Sequence, residues 1–155
     1  MEENEKKPSY IKERIDQYYN WYDAKAVKSK KIYQLSRTMQ ALVAILIPVI
    51  VNIKIQIFFI DSTVIVSILG ILVAVSVSME NVFHYREQWL NSRTTAEYLK
   101  TQKILFQHRA KDYAELEDKQ AFKQLVERIE NAIAEENAVT LSVLSRSEQN
   151  NHTTQ

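Results

Sequence analysis

The chain has 155 residues, with 20 Lys or Arg against 19 Asp or Glu, no cysteine, one glycine and two prolines. Balanced charge gives no electrostatic basis for a nucleic-acid partner, and the lack of cysteine excludes disulfides and thiolate metal ligands. So few chain breakers favour one domain of long helices over a many-stranded sheet.

Residues 1–8 read as a disordered N-terminus, and the first 30 residues carry no apolar run, so no signal peptide is expected. Ser9, following Pro8, marks a helix start. Ile11, Ile15, Tyr18, Tyr22 and Ala26 recur at three- and four-residue spacing, which predicts a cytoplasmic helix over 9–37 that runs on into the next segment. Its other face carries Lys12, Glu13, Asp16 and the cluster Lys25, Lys28, Lys30 and Lys31. That cluster has two readings: a solvated face that also sets topology, or a contact to anionic lipid headgroups.

The next segment is nearly uncharged. Residues 39–82 hold only Lys54, Asp61 and Glu80 as charged groups. Ala41 to Val51 is an unbroken apolar run of 11, and Thr63 to Met79 is a charge-free stretch of 17. A bilayer core of about 30 Å takes about 20 helical residues, with about 17 as the lower limit. The second stretch qualifies alone, and the first qualifies when extended to roughly 38–57. A soluble bundle with two unusually apolar helices is the plainer reading. A buried soluble helix, however, keeps a polar stripe where it meets water, and residues 63–79 have only single hydroxyls. The flanks, Tyr33 and Arg37 before and Phe83, Tyr85, Arg86 and Trp89 after, resemble interfacial anchors.

The segment 38–82 therefore reads as a transmembrane hairpin with spans near 38–57 and 63–82. Lysines and arginines concentrate beside the two outer ends, and the tip has Lys54 alone. The positive-inside rule puts both termini in the cytoplasm, as a multi-pass protein of the cell inner membrane, and the tip at 57–62 outside. Alternation in "NIKIQIFF" (52–59) makes the tip the least helical part by pattern.

Two faces stand out on the second span. Ser76, Glu80 and His84 share one at i, i+4 spacing. A carboxylate at a membrane boundary is a functional candidate, and in an oligomer this face could line a cation-favouring pore; the plain alternative is a Glu80 that snorkels or pairs with a nearby base. The other face, Ser67, Gly70, Ala74 and Ser78, is a small-residue stripe that suits close helix packing. The first span has an amide-bearing stripe, Gln40, Ala44, Pro48, Asn52 and Gln56, of which Gln40 and Asn52 are pore-lining candidates.

Beyond the hairpin, residues 83–144 read as a cytoplasmic helical pair. Tyr85, Trp89, Ser92, Ala96, Leu99 and Phe106 keep a four-three spacing, which predicts a helix continuing straight from the second span. A break near "HRAKDY" follows, then a helix from about Asp118 with Phe122, Leu125, Val126, Ile129, Ile133 and Asn137 on one face. Arg93 and Glu97 fit a surface ion pair. Residues 145–155, rich in Ser, Asn, Gln and Thr, read as a disordered tail. The three histidines lack metal-ligand spacing and the single glycine leaves no phosphate-cradling loop, so no enzyme, metal or cofactor is expected.

Three stretches carry a family resemblance: "WYDAKAVKSKKIY" (21–33), "YREQWLNSRTTAEYLKTQKILF" (85–106) and "LVERIENAIAEEN" (125–137). Around the hairpin they resemble the bacterial SLATT family, the SMODS- and SLOG-associating two-transmembrane effector domain, over roughly residues 15–140. The resemblance rests on Trp21, Tyr22, Asp23 and Lys25, on Glu80, and on Trp89, Arg93, Thr95, Ala96, Glu97, Leu99, Lys100 and Phe106. The chain departs from the pattern at Ser92, where Tyr is expected, and at "HRAKDY", which replaces a Gly-Pro turn. The resemblance implies an inner-membrane protein with cytoplasmic helices, in a family proposed to form pores.

The fold expected is thus an all-α membrane protein, a two-helix hairpin extending into a cytoplasmic bundle. The function expected is a homo-oligomeric ion channel or pore, with membrane lipid and a permeant cation as partners. Trp21, Tyr22, Tyr85, Trp89, Arg93, Glu97, Leu99, Phe106, Glu127 and Arg128 would form its assembly region. A non-conducting anchor that recruits a soluble regulatory partner is the alternative.

Overall fold

The structure, a computed structural model, describes residues 7–53 and 61–152, and every regular element among them is helical. Helix is already formed at Lys7, two residues before Ser9, with Pro8 in the first turn where its missing N–H costs nothing. A π-helical turn, Ile11–Asp16, leads into α1, Gln17–Ile53. Counted from Lys7 to Asn52 the helix has 46 residues, about 69 Å at 1.5 Å each. The rest are α2, Ser62–Phe83; α3, Tyr85–Gln107; a 3-10 turn, Lys111–Tyr113; and α4, Asp118–His152. The alternating segment's residues 54–60, Gln56 and Lys54 among them, lie outside the described residues.

Two regions with opposite chemistry share α1. Its N-terminal half shares one core with α3 and α4 as a three-helix bundle, and its C-terminal half packs with α2. Lys103–Asp16 and Arg93–Asp23 pairs fix α3 antiparallel to α1, whereas Arg14–Glu130 and Lys25–Glu136 pairs fix α4 parallel to it. The bundle core is conventional: Ile15, Tyr22, Ala96, Leu99, Tyr113, Leu125 and Ile129 are all 0% exposed. Full burial of the aliphatic members, Ile15, Leu99, Leu125 and Ile129, contributes about 1.5–3 kcal/mol each.

The apolar half has no such interior. None of α2 is buried, and Leu35, Ile45 and Ile71 are each more than 60% exposed. The two helices Lys7–Asn52 and Ser62–Phe83 are long and apolar enough to cross a membrane. Their hydroxyls suit that setting, because Ser67, Ser76 and Ser78 each donate to the carbonyl four residues back, at 2.8, 2.9 and 2.9 Å. No free O–H donor is left on these three serines.

The second apolar helix does not continue straight into the bundle as its periodicity predicts. His84 adopts a left-handed conformation (φ 49°, ψ 46°) that ends α2 and starts α3. Its N–H donates to the Glu80 carbonyl at 2.8 Å, and the Gln88 side chain donates to the Phe83 carbonyl at 2.7 Å. These bonds satisfy carbonyls that the break would otherwise orphan, and they offset a conformation that costs a non-glycine residue about 1–2 kcal/mol.

Arg109 closes α3 in the same left-handed way (φ 49°), with Ala110 N–H reaching back to the Leu105 carbonyl at 3.0 Å. Its guanidinium then ties the turn to the Leu116 carbonyl and to Asp118. In α4 the pattern places Asn137 on the buried face, but the structure buries Glu136 at 4% and exposes Asn137. The reason is Lys25, whose ammonium meets the Glu136 carboxylate at 3.1 Å and permits a carboxylate at a core position. Helix α4 persists through the polar stretch from 145 to His152, where composition reads a disordered tail.

Candidate functional site: a polar cleft between the apolar helices

Along α1, Ser36 and Gln40 are four residues apart and share a face; along α2, Ser76 and Glu80 do the same. Packing α1 against α2 brings all four to one cleft of about 360 Å³. Apolar side chains, among them Val43, Leu69, Leu72 and Val73, form one part of its wall, and Tyr85 also borders it. Gln40 donates to the Ser36 hydroxyl at 3.1 Å, linking two of the polar groups.

Glu80 is the charged member. One carboxylate oxygen, Oε1, accepts from the Arg86 N–H at 3.4 Å, at the exposed start of α3 where helix dipole and free amides favour an anion. The other, Oε2, is shut from solvent and has no hydrogen-bond partner among the described residues. A buried acceptor left unpaired costs about 1–3 kcal/mol, more when charged, so the cleft is chemically unfinished.

The remaining residues singled out from the sequence fall elsewhere. His84 sits at the break with Nδ1 3.5 Å from the Glu87 carboxylate. Asn52 is exposed towards the far end of α1, donating to the Pro48 carbonyl of its own helix at 2.7 Å. Ser67, Gly70, Ala74 and Ser78 form an exposed face of α2, and a Cβ at Gly70 would meet nothing within 4 Å. The small-residue stripe thus faces away from α1 within one chain.

The assembly residues divide between core, seam and surface. Tyr22 and Leu99 are core residues, and Phe106 packs edge-on against Tyr113 at 5.8 Å. Trp89 stacks on Tyr33 and lies under the Lys30 ammonium at 5.4 Å, near the junction of bundle and apolar helices. Tyr85 stacks on Phe83 across the break, with centroids 5.4 Å apart. Arg93 bridges Asp23 and Glu97, so it is an inter-helix tie as well as a surface pair. Arg128 holds Asp112 at 2.7 Å, which keeps its guanidinium charged, and it lies over the Tyr113 ring. Trp21 is 53% exposed, and Glu127 pairs with Lys123 on an open face.

Sequence patterns alone did not single out three further clusters. Arg14 grips Glu130 with two bonds of 2.9 and 2.7 Å, joined by the Tyr10 hydroxyl at 2.9 Å. The arginine hydrogen bonds hold the Glu130 carboxyl below the usual range, while burial and then the carboxylate push the Tyr10 hydroxyl up. Tyr113, in the turn, is fully buried and donates to Gln102 at 2.8 Å. A third cluster gathers Lys25, Glu136 and Tyr22. Burial first, then the neighbouring Glu136, raises the Tyr22 hydroxyl, which makes no hydrogen bond of ordinary geometry. No group of three or more His, Cys, Asp or Glu side chains among the described residues is placed to hold a metal ion.

Fold and cleft together define the class: an all-helical protein in which two helices, long and apolar enough to cross a membrane, adjoin a charged three-helix bundle. Residues 17–121, from the start of α1 to Ala121 in α4, match the family described as "Protein of unknown function (DUF4231)", and the chain belongs to that family. No curated protein and no solved structure matches it.

Proposed function

We propose that α2 and the C-terminal half of α1 form a transmembrane hairpin of the bacterial inner membrane, with the bundle and both termini in the cytoplasm. Copies of the chain assemble through their hairpins into a cation-conducting pore. The observation that carries this reading is the convergence of Ser36, Gln40, Ser76 and Glu80 in one cleft between two otherwise apolar helices. A buried carboxylate oxygen without a partner is expensive in lipid, and a passing or resident cation relieves that cost.

Two spans cannot enclose a water-filled path, so conduction requires an oligomer. The open Ser67, Gly70, Ala74 and Ser78 face supports close approach of a neighbouring hairpin. The resemblance to the SLATT effectors, a family proposed to form pores, points the same way. A second reading, a non-conducting anchor for a soluble partner, is favoured by a polar groove between α3 and α4, lined by Asn91, Thr94, Tyr98, Arg128, Asn131 and Glu135.

Ion flux from liposomes carrying the purified protein decides between the two readings. The pore reading expects an oligomer in mild detergent and cation flux that falls in Glu80→Gln. A strictly monomeric protein, or a folded oligomer that never conducts across voltage, pH and calcium, overturns it.

A further inference from the structure

The cleft has the make-up of a binding site for a small amphiphile. Its volume of about 360 Å³ falls within the range of small-molecule sites, roughly 300–1,000 Å³. Its lining on α2 runs from Leu69 to Glu80, eleven steps and so about 16 Å of helix. The deep end, Val43, Leu69, Leu72 and Val73, is wholly apolar, and the end towards the bundle holds the Glu80 carboxylate. Within that end, one Gln40 amide N–H is given to the Ser36 hydroxyl and the Ser76 hydroxyl proton to the Leu72 carbonyl. Glu80 Oε2 is left as a solvent-excluded acceptor with no donor.

From this we infer that the cleft binds a lipophilic primary amine, its ammonium on Glu80 Oε2 and its chain along Val43, Leu72 and Val73. Charge complementarity selects the class. A cationic head supplies the donor missing at Oε2 and neutralises the half-buried carboxylate, whereas an uncharged alcohol supplies only the donor and an anionic lipid headgroup opposes the charge. An alkyl chain, in turn, matches the apolar end as the surrounding acyl chains do, and lets the amine reach Glu80 from within the bilayer. The inference rests on the cleft's geometry and does not require conduction.

The test is the binding isotherm of dodecylammonium to the full chain in phosphatidylcholine nanodiscs, with empty nanodiscs subtracted and dodecanol run in parallel. Expected are saturable binding at one site per chain, at least tenfold weaker binding in Glu80→Gln, and no saturable binding of dodecanol. Val73→Trp, which fills the apolar end and leaves the carboxylate in place, weakens binding as well. Equal affinity in wild type and Glu80→Gln, equal saturation by dodecanol, or a resident phospholipid that dodecylammonium does not displace overturns the inference. Binding without flux keeps the site and removes the pore; flux without binding does the reverse.

Discussion

Lys25→Met tests the most exacting feature of the bundle, a carboxylate buried at a core position. The Glu136 side chain is 2% exposed and its ammonium partner Lys25 is 23% exposed, at 3.1 Å. Removing one member of a buried pair costs about 3–5 kcal/mol, because the survivor keeps its charge without its counter-ion. Two features lower that figure here. Lys25 is partly hydrated already, and the Thr140 hydroxyl still donates to Glu136 Oε1 at 3.1 Å. The expected loss is therefore about 2–3 kcal/mol. At roughly 2–4 °C per kcal/mol for a chain of 155 residues, the midpoint should fall by about 4–12 °C. Thermal unfolding in detergent, followed by near-ultraviolet circular dichroism of the bundle's tyrosines and tryptophans, measures it. Adding Glu136→Gln removes the stranded charge, so the double variant should recover at least about 1 kcal/mol relative to Lys25→Met. A Lys25→Met midpoint within about 2 °C of wild type, or a double variant whose loss equals the sum of the singles, refutes the reasoning.

Three further predictions follow from the geometry. Single cysteines can be placed without background because the chain has none; Asp61→Cys should react with a membrane-impermeant maleimide on intact spheroplasts and Glu115→Cys only after lysis, and the reverse pattern inverts the topology. Gly70→Leu should not lower the stability of the single chain, since nothing lies within 4 Å of its new Cβ and leucine is the better helix former, yet weaken association of copies measured by cross-linking. Glu130 has a folded pKa below its unfolded value of 4.5, chiefly through the Arg14 hydrogen bonds. Its stabilisation, about 1 kcal/mol after solvent screening of a pair nearly 40% exposed, is full above pH 4.5 and is lost as pH falls through the lower folded value. The gap between wild type and Glu130→Gln should therefore close between pH 7 and pH 3; a gap that does not change with pH contradicts the assignment.

Much of the fold was legible because each helix writes its own periodicity. The Ile15, Tyr22, Leu99, Leu125 and Ile129 positions that spacing picked out form the core. The two apolar stretches stand out by composition alone. What spacing does not encode is register between helices. Gln40 and the Ser76–Glu80 pair could each be placed on a face, but only packing of α1 on α2 shows that they meet, and that Ser36 joins them. The break at His84 was invisible for another reason: a left-handed residue is usually announced by glycine or asparagine, and here a histidine takes that conformation with Gln88 supplying the missing donor. Glu136 was missed because a carboxylate on a core face reads as polar surface until its counter-ion, 111 positions away in sequence, is known.

On the proposed reading, the Glu80 carboxylate favours cations in a path formed by assembled hairpins. Its most direct test is the reversal potential of the protein reconstituted in a planar bilayer under a tenfold potassium chloride gradient, comparing wild type with Glu80→Lys. A carboxylate-lined path gives a wild-type reversal potential displaced towards the potassium equilibrium value, and a Glu80→Lys value displaced back towards zero or to the chloride side. Conductance with the same reversal potential in both proteins, or no conductance from either folded oligomer, contradicts it.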